Sequence, residues 1–307
     1  MLNPANGYIR TANNYMVPDG YPYPEALHYT WGDELRAVRI DEFLGSGRKF
    51  TVVDMMKLQQ DELSVTARNL VPMLRDLAIP DAEAAKARDL LLHCDYVLDK
   101  DSVPAAVYAA WERRLQSSVA DLLVPAGARR LLGGLNLKRM IDWLAAPDGR
   151  FGKDPTSGRD ALLVRCLSDA VAELTKQLGP DMSKWQYGQE KYHHITIYHP
   201  LSASVSADLR ARLDVGPLPR GGYAVTVNAT GNGNNQTSGA SFRIIADTEN
   251  WDNSVGTNTP GQSGDPDNPH YRDLFQMWAT GKYFPVFFNL RKVESVAEEK
   301  LILSPAR

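Results

Sequence analysis

Cysteine is nearly absent from this sequence: 2 residues, Cys94 and Cys166, in a chain of 307. Both fall in stretches that read as helical, so buried free thiols are expected rather than a disulfide framework. Charge of one sign is lacking too. Lys and Arg number 34 and Asp and Glu 37, for a formal net charge of −3. That balance leaves no basic footprint for nucleic acid as an obligate partner. No apolar run approaches the ~18 residues of a membrane-crossing helix. The opening Met1-Leu2-Asn3-Pro4-Ala5-Asn6-Gly7 is not a basic-then-apolar leader. Apolar material is plentiful, at 43%, which is enough for a sizeable core in one large domain or two ordinary ones.

The order along the chain is helices first, then strands, which predicts an α+β fold. Residues 1–30 open with a strand-like stretch, Gly7-Tyr8-Ile9-Arg10-Thr11-Ala12, then Asn13-Asn14 and a loop rich in Pro, Gly and Tyr. A strand with no lead-in suggests that its sheet partners lie elsewhere. Residues 31–180 read as a mostly helical subdomain. Thr51 with Asp54 is a capping-box start, and Leu63, Ala67, Leu70 and Leu74 mark one buried face, with a break expected at Pro72. Ser102 caps a helix with Pro104 in its first turn and a stripe of Val107, Trp111 and Leu115. A further helix over Arg159 to Leu178 stops at Gly179-Pro180. Residues 181–307 read as β-rich, because the apolar period changes to two. Strands are expected over Tyr192 to Tyr198, around Tyr223, Val225 and Val227, over Ala240 to Ala246, and from Tyr283 to Leu290. A Gly/Asn-rich loop spans Asn228 to Gly239 and an irregular stretch Asp247 to Pro269. Short helices are expected over Tyr271 to Thr280 and Arg291 to Glu299.

Several attractive clusters carry little chemistry. His193 and His199 would share one strand face with His194 on the other, and no Cys or acid completes a ligand set. Asp265, Asp267 and His270 sit among Pro and Gly that suit a shaped loop. The Gly/Asn stretch lacks the Gly-Lys-Ser/Thr ending of a phosphate loop. Asn228-Ala229-Thr230 and Asn235-Gln236-Thr237 match a glycosylation pattern that recurs by chance. Trp111, Trp143 and Trp185 read as core aromatics.

Other motifs are specific. Asn3-Pro4-x-x-Gly7-Tyr8-Ile9-x-x-Ala12-Asn13-Asn14 is followed by Trp31-Gly32-x-x-x-Arg36-x-x-Arg39-Ile40. Tyr187-Gly188-Gln189 and His199-Pro200-Leu201 come next. Then follow Gly239-Ala240-Ser241-Phe242-Arg243, Trp251-Asp252-Asn253-Ser254, Pro260-Gly261-Gln262-Ser263-Gly264, Pro269-His270-Tyr271 and Trp278-x-x-Gly281-x-Tyr283-x-Pro285. In order and spacing, over essentially the whole chain, they resemble the penicillin acylase (penicillin amidase) family of N-terminal-nucleophile hydrolases. They match the C-terminal part of its β-subunit region.

The resemblance implies a four-layer αββα sandwich with a helical elaboration, here a partial one whose upstream half is missing. It implies hydrolysis of linear amides of N-acyl compounds, such as a β-lactam or an acyl-homoserine lactone, through an acyl-enzyme. The nucleophile would be an N-terminal Ser whose own α-amine acts as base. That Ser lies upstream of the Asn-Asn motif in the family, and no Ser here matches it. Asn13 matches the family's oxyanion-hole Asn, and Arg36 the Arg beside the nucleophile's amine. Glu25 falls where some members place a calcium ligand. No cofactor is required, and a structural calcium is the one metal implied. The expected partners are the rest of the precursor, namely the α subunit and the start of the β subunit, and a small N-acyl amide. A periplasmic or secreted home follows from the same likeness. The reading from another class is a non-catalytic remnant or binding partner that keeps the fold.

Overall fold

The computed structural model describes residues 3–27, 31–129, 131, 134–231 and 233–305. Its helices are α1 (Leu35–Leu44), α2 (Val52–Gln59), α3 (Val65–Leu70), α4 (Ala82–Leu92), α5 (Val103–Leu123), α6 (Ala126–Arg129), α7 (Leu137–Ala145), α8 (Pro155–Leu178), α9 (Ala207–Leu213), α10 (Phe275–Ala279) and α11 (Leu290–Val296). Its strands are β1 (His194–Ile197), β2 (Val215–Pro219), β3 (Arg243–Ile245), β4 (Val255–Thr257) and β5 (Phe284–Pro285). Two compact units divide the chain. One comprises Met1–Arg48, Asp61–Ile197 and Gly216–Gly239, the other Lys49–Gln60, Tyr198–Val215 and Ala240–Arg307. Among the described residues no helix is long and apolar enough to cross a membrane.

The first unit is built on α5 packed along α8. Ser102 accepts from the Ala105 N–H at the start of α5, and four alanines, 105, 106, 109 and 110, are buried along it. Small side chains on one stripe let the neighbouring helices approach closely. Val107, Trp111 and Leu115 fill the remaining space, and the Trp111 indole donates to the Leu163 carbonyl of α8 at 3.1 Å. Each such buried large apolar side chain contributes about 1.5–3 kcal/mol. The start of α8 lies at Pro155, four residues earlier than the apolar stripe alone indicates, because Asp154 accepts from the Ser157 N–H. It ends at Gly179 in a positive-φ conformation. The expected break at Pro72 is present: α3 ends at Leu70 and a 3-10 turn, Val71–Leu74, follows. Cys166 is buried and Cys94 half-buried, both as free thiols. Trp111 and Trp185 are core residues. Trp143 is only half-buried, under the Arg150 guanidinium.

The second unit contains an antiparallel sheet in the order β3-β4-β5, with Arg243 opposite Thr257 and Val255 opposite Pro285. Helix α2 packs against β3. Its start is the expected capping box, with Thr51 accepting from Asp54 N–H and Asp54 accepting from Thr51 N–H. Gln59 donates to the Ile244 carbonyl at 3.1 Å and accepts from the Tyr283 hydroxyl at 2.8 Å. Two of the ordered motifs meet here. The N–H groups of Gln262 and Ser263 both donate to the His270 carbonyl, at 2.8 and 3.1 Å. A Cβ at Gly261 would stand 2.2 Å from that oxygen. Only glycine fits between these two turns.

Several expectations are corrected. Gly7 to Ala12 is not in a sheet, since no strand pairs with it among the described residues. Tyr223, Val225 and Val227 lie in a buried turn, where the Thr226 hydroxyl accepts from the Tyr223 N–H and donates back to carbonyl oxygens. The alternation there comes from turn geometry rather than from a strand. The strand at Ala240–Ala246 shortens to β3, and its polarity is reversed. Arg243 and Ile245 are buried, while Phe242 and Ile244 are 55% and 48% exposed. The guanidinium of Arg243 lies over the Trp278 ring, 5.5 Å from its centre, which makes a charged residue suitable for the inner face. The irregular stretch at 247–269 contains β4 and a 3-10 turn at Trp251–Asn253. The expected strand from Tyr283 shrinks to β5, and Leu290 starts α11 instead. The helix expected from Tyr271 begins at Phe275.

Candidate active site

Asn13 sits where the extended opening segment meets a bend, and its backbone is left-handed, with φ of 62°. Asn is among the few residues that adopt this conformation at low cost. Three contacts hold it. The Gly32 N–H donates to the Asn13 carbonyl at 2.8 Å, and a Cβ at Gly32 would come within 3.0 Å of that same oxygen. Arg36 Nη2 donates to the Ala12 carbonyl at 3.0 Å and to Asn13 Oδ1 at 2.6 Å. Two residues separated by 23 positions therefore meet side chain to side chain.

That contact fixes the chemistry of the amide. A guanidinium can only donate, so it takes the carbonyl end of the Asn13 side chain and turns the NH2 end away. Among the described residues Asn13 Nδ2 donates to nothing. Arg36 itself is half-buried and has only neutral oxygens as hydrogen-bond partners, with no carboxylate in an ion pair among the described residues. Burial lowers its pKa, yet an arginine stays charged. A half-buried cation with no counter-ion among the described residues, linked to an amide donor with no acceptor among them, is suited to negative charge that arrives from outside.

The surrounding clamps were not legible in the sequence. Asp33 accepts from the N–H groups of Leu137 and Lys138 at 3.1 Å each, capping α7 from 104 and 105 positions away. It anchors the Trp31-Gly32 segment. Asp41 of α1 takes Arg10 through two nitrogens, at 3.0 and 2.6 Å, and the Tyr8 hydroxyl at 3.1 Å. The Arg10 guanidinium holds the Asp41 carboxyl below its usual range. Arg39, another motif residue, pairs in the same manner with Asp61. No local pattern announces partners so distant in sequence.

The remaining candidates lie apart from this pair. Glu25 is exposed in a 3-10 turn, Pro24–Ala26. Among the described residues no group of three His, Cys, Asp or Glu is placed to hold a metal. A lone carboxylate does not fit calcium, which takes six to eight oxygens. His193 is buried, stacked on Tyr187, with Nδ1 3.1 Å from the Arg220 carbonyl and Nε2 2.7 Å from the Tyr187 hydroxyl. Burial pushes its pKa down to about 3. His199 lies beyond the end of β1, so it does not share a strand face with His193. Asp267 pairs with Arg212 and His270 with Asp273. These are structural contacts.

Known proteins place the fold in context. A solved thermostable penicillin G acylase from Alcaligenes faecalis superposes with a TM-score of 0.64 at 18% identity, over 99% of this chain and 58% of that one. The mixed helix-and-sheet architecture thus resembles the fold of that penicillin G acylase. The family model described as penicillin amidase matches residues 1–295, and the chain belongs to that family, whose members are acylases. The acyl-homoserine lactone acylase QuiP of Pseudomonas aeruginosa is 27% identical over 99% of this chain and 40% of its own length. Penicillin acylase 2 proenzyme of Pseudomonas sp. (strain SE83) is 29% identical over 98% of this chain and 39% of its own. The chain therefore spans about two-fifths of the curated relatives it matches.

Proposed function

We propose that these residues form the C-terminal part of the β-subunit region of an amidohydrolase that cleaves linear amides of N-acyl compounds through an acyl-enzyme. The observation that carries this reading is the Arg36–Asn13 contact, in which, among the described residues, the amide NH2 has no acceptor and the guanidinium no carboxylate. In the proposed reaction an N-terminal Ser, supplied by the upstream part of the precursor, attacks the amide carbonyl carbon. Its α-amine takes the hydroxyl proton. The carbonyl oxygen gains the negative charge, and Asn13 Nδ2–H donates to it from about 3 Å. The C–N bond breaks, the amine leaves with the proton, and water then hydrolyses the acyl ester. Arg36 has two tasks: it fixes the direction of the Asn13 amide, and its charge favours both the oxyanion and the neutral α-amine.

Substrates of the class named by the relatives, an acyl-homoserine lactone or a penicillin, suit this chemistry. Glu25 would serve calcium only with ligands from the upstream part, and no step depends on that ion. A periplasmic or secreted home rests on the family likeness.

The test begins with the coding DNA before Met1. An in-frame continuation with a cleavage junction preceding Ser supports the enzyme. A stop codon and ribosome-binding site there support the rival, a non-catalytic remnant. The chain alone is expected to leave a chromogenic acyl anilide intact. Turnover by the chain alone, abolished by a point change within it, overturns the assignment of the nucleophile to the upstream part.

A further inference from the structure

Asp33 stands between the residues of the pair in sequence. It follows Gly32, whose N–H bonds the Asn13 carbonyl at 2.8 Å, and it precedes Arg36 by three positions. A carboxylate at that place has two local attractions. The first turn of α1, which begins at Leu35, offers open N–H groups. Arg36 offers a cation at the spacing of one helical turn. Among the described residues Asp33 takes neither. Helix α1 starts without a side-chain cap, and Arg36 donates to the neutral oxygens of Ala12 and Asn13. The carboxylate turns instead to another helix. Its Oδ2 accepts from the Leu137 N–H and its Oδ1 from the Lys138 N–H, at 3.1 Å each. The positive end of the α7 dipole favours it there. The next N–H, that of Arg139, is held by the Asn136 side chain at 2.9 Å. Glu34, the other carboxylate of this stretch, is exposed.

Resting on the function proposed above, we infer that Asp33 is a positioning residue and that the start of α7 serves to hold its negative charge away from Arg36. A guanidinium paired with a carboxylate is neutralised by it, and an oxyanion would then form beside a neutral pair instead of a cation. By taking both Asp33 oxygens, α7 keeps that charge out of the site. The same two bonds anchor the peptide whose Gly32 N–H fixes the Asn13 carbonyl. The two effects are separable, because a substitution at Asp33 can remove the charge without restoring the anchor.

Steady-state kinetics of the full-length, processed enzyme on a chromogenic acyl anilide provide the test. Lys138→Pro removes the N–H that Oδ1 uses, in the first turn of α7 where proline is tolerated. It should lower kcat by about tenfold and leave KM nearly unchanged. Lys138→Ala loses the same side chain and its exposed contact with Asp142 but keeps the N–H, and it should stay within about twofold of wild type. Adding Asp33→Asn to Lys138→Pro should recover most of the lost kcat, to within about threefold of wild type, since the amide brings no charge to Arg36. A carboxylate that served only as a helix cap would lose more with the second change. A double variant as slow as Lys138→Pro therefore overturns the inference, as does Lys138→Pro turning over like Lys138→Ala. If Lys138→Pro is too unstable to assay, two variants at Asp33 decide. Asp33→Glu, which keeps the charge but misplaces it, should lower kcat by about tenfold, and Asp33→Asn by only about threefold. The reverse order overturns the inference while the enzyme reading stands. If Asn13→Ala and Arg36→Lys leave kcat unchanged, the proposed function fails and the role of Asp33 with it.

Discussion

The helical body around α5 and α8 and the opening segment around Asn13 lie in the same unit and are finished to different degrees. In the body nearly every large side chain has a neighbour. Trp111 has an acceptor for its indole, and even the buried carboxyl of Glu112 accepts from the Tyr108 hydroxyl and from Gln116 at 2.8 Å. In the opening segment one face is clamped by Asp41 and Arg36, and the other is bare. The difference separates what folding needs from what chemistry needs. A core must be closed to be stable, whereas the segment that carries the Asn13–Arg36 contact is held on one side only.

The comparison breaks first in the body, where the largest effect is expected. Trp111→Ala should lower unfolding stability by about 3–5 kcal/mol in guanidinium titrations. A loss below about 1 kcal/mol would mean that the body is as open as the segment. In the assembled enzyme Asn13→Ala should reduce kcat/KM by about a hundredfold or more, with a stability loss of only about 1–2 kcal/mol from alanine in a left-handed backbone. Arg36→Lys should impair turnover as well, because a point charge cannot hold both the Ala12 carbonyl and the Asn13 amide as a planar fork does. A variant that loses stability instead of rate would place Asn13 in the core's class.

A smaller effect is pH-dependent. Burial pushes the Glu112 carboxyl up from 4.5 to about 7. Between those values the folded protein keeps a proton that the unfolded chain releases, so this group's contribution to stability falls as pH rises from about 4.5 to about 7. Glu112→Gln removes that fall, on the order of 2–3 kcal/mol across the window. Glu62, also raised to about 7 by burial, acts in the same direction, while His193, lowered to about 3, acts in the opposite one. The difference between wild type and variant isolates Glu112. A difference that stays constant from pH 5 to pH 7.5 contradicts the assignment. The smallest effect is at the α5 cap, where Ser102→Ala should cost about 1 kcal/mol in the same titrations.

Local signals carried most of the body. The caps at Thr51 and Ser102, the break at Pro72 and the stop at Gly179 depend on residues a few positions apart, and the spacing shows them. The sheet elements were less legible. Around Tyr223 a buried turn imitates strand alternation. In β3 the alternation is real but inverted, because Arg243 finds an aromatic ring inside and Phe242 and Ile244 turn outward. The site was legible only through the ordered motifs. They led to Asn13 and Arg36, which the fold brings into contact, whereas Asp33 and Asp41 act across distances that no local pattern records. Glu25 stands alone among the described residues, and nothing near it completes a cage.

The contact between Arg36 and the Ala12–Asn13 peptide also has a genetic consequence. Asn13, Arg36 and the Gly32 that bonds the Asn13 carbonyl all lie within one short run of codons, from Ala12 to Arg36. A recombination or a break anywhere before that run leaves the contact intact. The contact can be inherited or exchanged as a single block.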